Sequence, residues 1–196
     1  EAVLGVRQSA FGFSGQKCSA CSRAIVVDSA HDHFLERLAA STRTLVVGNP
    51  IRPGTDVGPV IDREAANKIR SFIEEGSREG TIECQLPVPE GLEDEVGLPY
   101  VGPTIVSGIS AGDRLATEEI FGPVLSVIRV RDFDEALKVA NSTQYKLTGG
   151  VYSRKPLHLE RARREFRVGN LYLNRGITGA LVGRQPFGGF GMSGRS

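Results

Sequence analysis

Cysteine is scarce in this chain, with three among 196 residues. An odd count excludes a fully paired disulfide framework and points to a reducing compartment, so a cytoplasmic location is expected. A dominant charge is missing as well. Lys and Arg number 24 against 23 Asp and Glu, which leaves no field to draw the chain to nucleic acid or a membrane surface. No apolar run approaches the length of a membrane span, no signal peptide is expected, and no internal repeat or low-complexity tract is visible. Histidine is as rare as cysteine, and no second ligand pair accompanies Cys18 and Cys21, so no metal site is expected. The chain opens on Glu1 without an initiator Met and closes on Ser196 inside a Gly/Ser-rich stretch, which reads as an excised piece of something longer. Its length suits one domain, 1–196, large enough to bury a core.

What is present is a thiol in an unusual setting. Cys18 sits in the run Phe11-Gly12-Phe13-Ser14-Gly15-Gln16-Lys17-Cys18-Ser19-Ala20-Cys21-Ser22-Arg23, just before the apolar stretch Ala24-Ile25-Val26-Val27. Glycines on one side let backbone approach a substrate, a strand on the other fixes the position, and Lys17 brings a positive charge able to favour a thiolate. From the residues alone, two readings stay open: a presented nucleophile, or a small core side chain. The Cys-x-x-Cys spacing of Cys18 and Cys21 adds a third, a redox dithiol.

Periodicity and punctuation predict alternating elements. An amphipathic helix carries Val3, Leu4, Ala10 and Phe11, and a strand follows over 24–27 with Asp28-Ser29 as a helix cap. A helix is predicted over 31–40, and the apolar Leu45-Val46-Val47 ends in the turn signal Gly48-Asn49-Pro50. Asp62 is a predicted N-cap for a helix stopping near Gly76. Strands are expected over 81–86, 104–106, 124–130, near 150–152 and over 169–174, with helices over 133–140 and 156–166. Residues 87–99, rich in breakers and acids, read as an exposed loop. The alternation implies an α/β fold with a mainly parallel sheet flanked by helices. The basic cluster Arg161-Ala162-Arg163-Arg164 reads as a solvated helix face, and His31-Asp32-His33 as a solvated cap. Gly189-Phe190-Gly191-Met192-Ser193-Gly194 has Gly-x-Gly-x-x-Gly spacing, but no helix or second strand follows, so it is no dinucleotide fingerprint.

Four motifs in order are more specific than any of these patterns. Gly15-Gln16-Lys17-Cys18 with Arg23 downstream resembles the nucleophile segment of the aldehyde dehydrogenase superfamily. Glu118-Glu119-Ile120-Phe121-Gly122-Pro123-Val124 resembles its cofactor-contacting segment, Asn141 to Gly150 the segment after it, and Pro186-Phe187-Gly188-Gly189 the closing motif. The resemblance implies the catalytic domain of an aldehyde dehydrogenase, with NAD as cofactor and a small-molecule aldehyde as substrate. It assigns Cys18 as nucleophile, Glu119 as the carboxylate that bonds the nicotinamide ribose, and Phe121 as the aromatic beside the nicotinamide. Without it, Glu118-Glu119 would read as a solvated acidic pair. The family's general-base Glu, its oxyanion Asn and its cofactor-binding domain fall upstream of Glu1. The isolated chain is therefore expected to be inactive, to depend on the remainder of a parent chain, and to form a homo-oligomer within it.

Two further features narrow the resemblance. Ser19 directly follows the nucleophile, and Gly176-Ile177-Thr178-Gly179-Ala180 precedes Arg184-Gln185-Pro186-Phe187. Both resemble the 1-pyrroline-5-carboxylate dehydrogenases, including the dehydrogenase half of bifunctional proline utilisation proteins, a group that Gly191 also fits. That resemblance implies that Ser19 and the amides of Gly179 and Ala180 bind an α-carboxylate, with Phe187 against the aliphatic stem. Adjacent backbone N–H groups form such an anion-binding concavity without an arginine. The substrate expected is L-glutamate γ-semialdehyde, oxidised in proline catabolism. Alternatives are another aldehyde, such as succinate semialdehyde, or a non-catalytic thiol or assembly domain.

Overall fold

The computed structural model describes residues 1–181 and 183–194. Its centre is a four-stranded sheet built from β1 (Arg23–Val27), β2 (Thr81–Gln85), β3 (Thr104–Ser107) and β4 (Val124–Val130), in the order β1-β4-β3-β2. β1 and β3 both run parallel to β4, while β2 joins β3 antiparallel. The sheet is thus mixed but mainly parallel, as the alternation implied.

β4 is the longest strand of this sheet, and its side chains divide between two cores as a pleat requires. Leu125 and Val127 join Ala10, Phe11, Leu38 and Ile105 on one face. That face is covered by α1 (Ala2–Phe11) and α2 (Asp28–Thr42). Val124, Ile128 and Val130 meet Ile69, Phe72 and Ile73 on the other. There α3 (Arg63–Glu79) and α6 (Phe133–Asn141) lie, with the short helices α4 (Leu92–Val96) and α5 (Arg114–Thr117) between them in the sequence.

α3 begins where predicted: the Asp62 carboxylate accepts from the Ala65 N–H at 2.8 Å. It does not stop at Gly76 but runs on to Glu79. Gly76 is buried where the helix presses on Leu115 and Val106, so its small size serves packing rather than termination. Asp28-Ser29 is not a cap either, because Val27 holds the cap position and Asp28 lies in the first turn, its carboxylate 2.6 Å from Arg129 Nε. The 87–99 stretch is only partly loop. Gly91 and Gly97, with φ of +73° and +75°, bracket α4 and turn Leu92 into a small core beside Tyr100. His31 is buried at 6 % exposure, with Nδ1 2.8 Å from Asp32 Oδ1, so only its neighbours form the solvated surface. Among the described residues, no cluster of three His, Cys, Asp or Glu side chains is arranged for a metal, and no helix is long and apolar enough to cross a membrane.

The rest of the chain forms two small sheets. β6 (Thr148–Val151) pairs in parallel with β7 (Asn170–Leu173), and β5 (Tyr145–Lys146) pairs antiparallel with β8 (Phe190–Gly191). The Gly-x-Gly-x-x-Gly spacing thus lies on a short strand and turn. Between β6 and β7 runs α7 (Pro156–Glu165), opened by Pro156 at its first turn. Its basic residues are solvated and paired, Arg161 with Asp134 and Glu165, Arg164 with Glu160.

Candidate active site

The Cys18 loop is shaped by a left-handed turn. Phe13, Ser14 and Gly15 have φ of +56°, +55° and +67° in succession, a conformation that disfavours side chains bearing a Cβ. Long-range bonds hold it in place. The Ser14 hydroxyl donates to the Gly58 carbonyl at 2.9 Å. The Gln16 amide donates to the Pro59 carbonyl at 3.3 Å and accepts from the Ile61 N–H at 2.9 Å. The loop thus leans on residues 58–61 through side chains on either side of Gly15.

Beyond the turn, the Ala20 N–H returns to the Lys17 carbonyl at 3.0 Å, which leaves Cys18 exposed at the crest. Among the described residues, the Cys18 N–H has no acceptor. The Lys17 ammonium lies 4.0 Å over the Phe13 ring, so its charge is engaged by that aromatic face. Cys21 differs from Cys18. Its thiol donates to the Arg23 carbonyl at 3.4 Å, and burial pushes it up to about 11, against the opposing hydrogen bond and charge of Arg23. Cys84 is buried, and burial raises its thiol as well. A redox dithiol would need two responsive thiols, and Cys21 is held protonated.

Gly15 also joins this loop to the second motif. Its α-carbon packs against the backbone of Gly122, leaving no room for a Cβ. In the same segment Phe121 is 43 % exposed with φ of +57°. Helix α3 steadies the segment from behind: Lys68 Nζ donates to the Glu119 carbonyl at 2.8 Å, Ile69 fills the space over Gly122, and Arg114 bridges Glu75 and Glu118 at 2.9 and 2.8 Å. The Arg114 guanidinium holds the Glu118 carboxyl below its ordinary range. Glu118 is therefore occupied, whereas the exposed Glu119 carboxylate has no ion-pair partner among the described residues.

A cavity of about 600 Å³ collects these groups, with Cys18, Glu119 and Phe121 all on its wall. The edge strand β1 and strand β6 line it as well. Three of the seven residues singled out in the sequence thus share one space. Ser19, Gly179, Ala180 and Phe187 do not line it. Ser19 is half-buried, its carbonyl accepting from the Thr148 hydroxyl at 3.3 Å; Gly179 is exposed with φ of +94°, and Phe187 is 48 % exposed.

Several residues at this site escaped the sequence reading. Lys68 gave no local signal, being 51 residues from Glu119. Arg23 was legible as part of a motif, but its contact with the α6 carbonyls of Val139 and Ala140, at 3.5 Å each, was not. Ser9 lies on the buried face of α1, where a serine is out of pattern, and that was the one available hint.

An exposed cysteine on a constrained turn thus shares one cavity with a carboxylate and an aromatic beside a mainly parallel, helix-flanked sheet, the arrangement that the resemblance to aldehyde dehydrogenases implies. The Aldehyde dehydrogenase family model matches residues 1–196, and the chain belongs to that family. Within it, the chain is 52 % identical over 193 residues to a 1-pyrroline-5-carboxylate dehydrogenase of Geobacillus thermodenitrificans, covering 98 % of this chain and 36 % of that protein. A 1-pyrroline-5-carboxylate dehydrogenase from Thermus, solved with bound NAD, superposes with a TM-score of 0.87 at 53 % identity, covering 97 % of this chain and 36 % of that one. Proline utilization A from Bdellovibrio bacteriovorus, inactivated by N-propargylglycine, gives 0.93 at 48 %, over 98 % of this chain and 20 % of that one. The chain spans about a third of the length of the curated relatives it matches.

Proposed function

We propose that this chain is the nucleophile-bearing part of a dehydrogenase that oxidises L-glutamate γ-semialdehyde to L-glutamate with NAD, in proline catabolism. The observation that carries this reading is the meeting of Cys18, Glu119 and Phe121 on one cavity wall. The substrate assignment leans on similarity of about 50 % to proteins named for that activity, and on Ser19 with Gly179 and Ala180.

In this reading Cys18 attacks the aldehyde carbonyl as a thiolate, giving a thiohemiacetal whose oxyanion takes a hydrogen bond from the free Cys18 N–H. NAD, when bound, supplies the hydride acceptor. Loss of hydride from the thiohemiacetal leaves a thioester on Cys18, and water cleaves it to the carboxylic acid and free thiol. With NAD bound, the exposed Glu119 carboxylate would accept from ribose hydroxyls, and the exposed Phe121 ring would lie beside the nicotinamide. Ser19 and the Gly179 and Ala180 amides take the α-carboxylate, and Phe187 the carbon stem. The general base and the cofactor domain belong to the remainder of the parent chain, which acts as a homo-oligomer, so the 196 residues alone do not turn over.

Replacing the nucleophile tests the chemistry. Cys18→Ser in the complete parent protein should cut NADH formation by about three orders of magnitude or more. Activity equal to wild type would remove Cys18 from the mechanism.

A further inference from the structure

Ser9 is 2 % exposed, yet it lies on an α-helix that otherwise buries apolar side chains. A serine there competes with the helix for hydrogen bonds and fills less space than an apolar residue. Both of its oxygens reach beyond the helix. Its carbonyl is among the last four of α1, which have no partner within the helix, and it accepts from the Cys21 N–H at 2.9 Å. Its hydroxyl accepts from the Ile177 N–H at 3.1 Å, across 168 positions of sequence.

The two bonds meet different segments. Cys21 closes the turn that carries Cys18 and Ser19. Ile177 stands two residues before Gly179 and three before Ala180. Gly176 completes the junction: a Cβ added there would sit 3.0 Å from Ser9 Oγ, tighter than nearly all such contacts, with the Gly5 carbonyl next at 3.6 Å. The loop at Gly176–Ile177, which follows β7, therefore approaches α1 closely, with backbone fitted to the hydroxyl.

We infer that Ser9 is a positioning residue for substrate selection, a bracket that fixes the Ser19 turn and the Gly179–Ala180 segment at one spacing. The inference rests on the reading in which those residues grip the α-carboxylate. A carboxylate held by a hydroxyl and two amides needs its donors set within a few tenths of an ångström, and no other residue described here bonds to both segments. Ser9 lies on the wall of the Cys18 cavity, with its two oxygens bonded to Cys21 and Ile177. It acts through Cys21 and Ile177, so it governs recognition of the amino-acid head rather than the thiol chemistry.

The test uses the complete parent protein and two substrates, L-glutamate γ-semialdehyde and propanal, which lacks the α-amino-acid head. Ser9→Ala removes the acceptor for Ile177 and leaves the carbonyl bond to Cys21. It should lower the ratio of kcat/KM between the two aldehydes about tenfold, with the loss in KM for the semialdehyde. Gly176→Ala reaches the same junction from the other side and should lower the ratio similarly. Removing Oγ makes room for the added methyl, so the double variant should be no worse than about twofold below either single one. A general packing defect would instead reduce both aldehydes together and add in the double variant, which overturns the inference. Wild-type discrimination kept by both single variants also overturns it, while leaving the substrate reading intact. A wild-type parent that does not prefer the semialdehyde overturns the substrate reading, and the inference with it.

Discussion

Gly15 and Gly122 touch backbone to backbone, 107 positions apart in a chain of 196 residues, and that contact sets the Cys18 turn against the Glu119–Phe121 segment. Neither residue can carry a side chain there. The Gly122 carbonyl occupies the place of a Cβ on Gly15, and Ile69 occupies the place of one on Gly122. The spacing between nucleophile and cofactor segment is thus a property of two absent side chains.

Gly15→Ala should be disruptive for two reasons. It demands a φ of +67° from an L-residue and drives a methyl into the Gly122 carbonyl. Together these should destabilise the fold by about 2 kcal/mol or more, read by urea denaturation. In the complete parent the KM for NAD should rise as the two segments part. Wild-type stability and KM would show that the contact does not constrain the site.

The three thiols should separate by reactivity. At neutral pH, brief alkylation followed by peptide mass spectrometry should place the label on the exposed Cys18, and on Cys21 and Cys84 only after unfolding. Labelling of Cys21 at the rate of Cys18 would contradict the half-buried, hydrogen-bonded thiol described above.

Cys21 also has a pH signature. Its folded value of about 11 lies above the ordinary 9.0, so the folded state holds the proton more tightly than the unfolded one. The stability this confers is fully present below pH 9 and is lost as pH rises toward 11. Cys21→Ala should flatten the fall in stability over that window, measured by denaturant titration at several pH values. An unchanged slope would place the loss elsewhere.

Asp62 provides a control remote from the thiol. Its carboxylate satisfies the Ala65 N–H at the start of α3, the helix that supports the Glu119 segment through Lys68. Asp62→Ala should reduce stability by about 1 kcal/mol, and a null effect in urea titration would show that the cap contributes nothing.

These cases mark which features were legible in the sequence. The Asp62 cap and β4 were, because a polar residue before an amphipathic run and a short stretch rich in Val, Leu and Ile are local signals. So were Cys18, Glu119 and Phe121, whose motifs keep their spacing. The turn at Leu92 was missed because acidic and glycine residues around it mimic an exposed loop, while its burial depends on Val47 and Val57, distant in the sequence. The bonds from Lys68 to Glu119 and from Ser9 to Ile177 could not be read, since each joins segments that only the folded sheet brings together. The carboxylate-binding residues remain a motif-level assignment outside the cavity that holds Cys18.

The most direct test of the central claim is NADH formation by the complete parent protein on L-glutamate γ-semialdehyde, compared with succinate semialdehyde and propanal. Strong preference for the first is the predicted result. Its carboxylate stands one carbon further from the aldehyde than that of succinate semialdehyde, the reach the Ser19, Gly179 and Ala180 site requires, and propanal has no carboxylate. Equal or reversed preference would contradict the substrate assignment, and no NADH from any of the three would contradict the dehydrogenase reading as a whole.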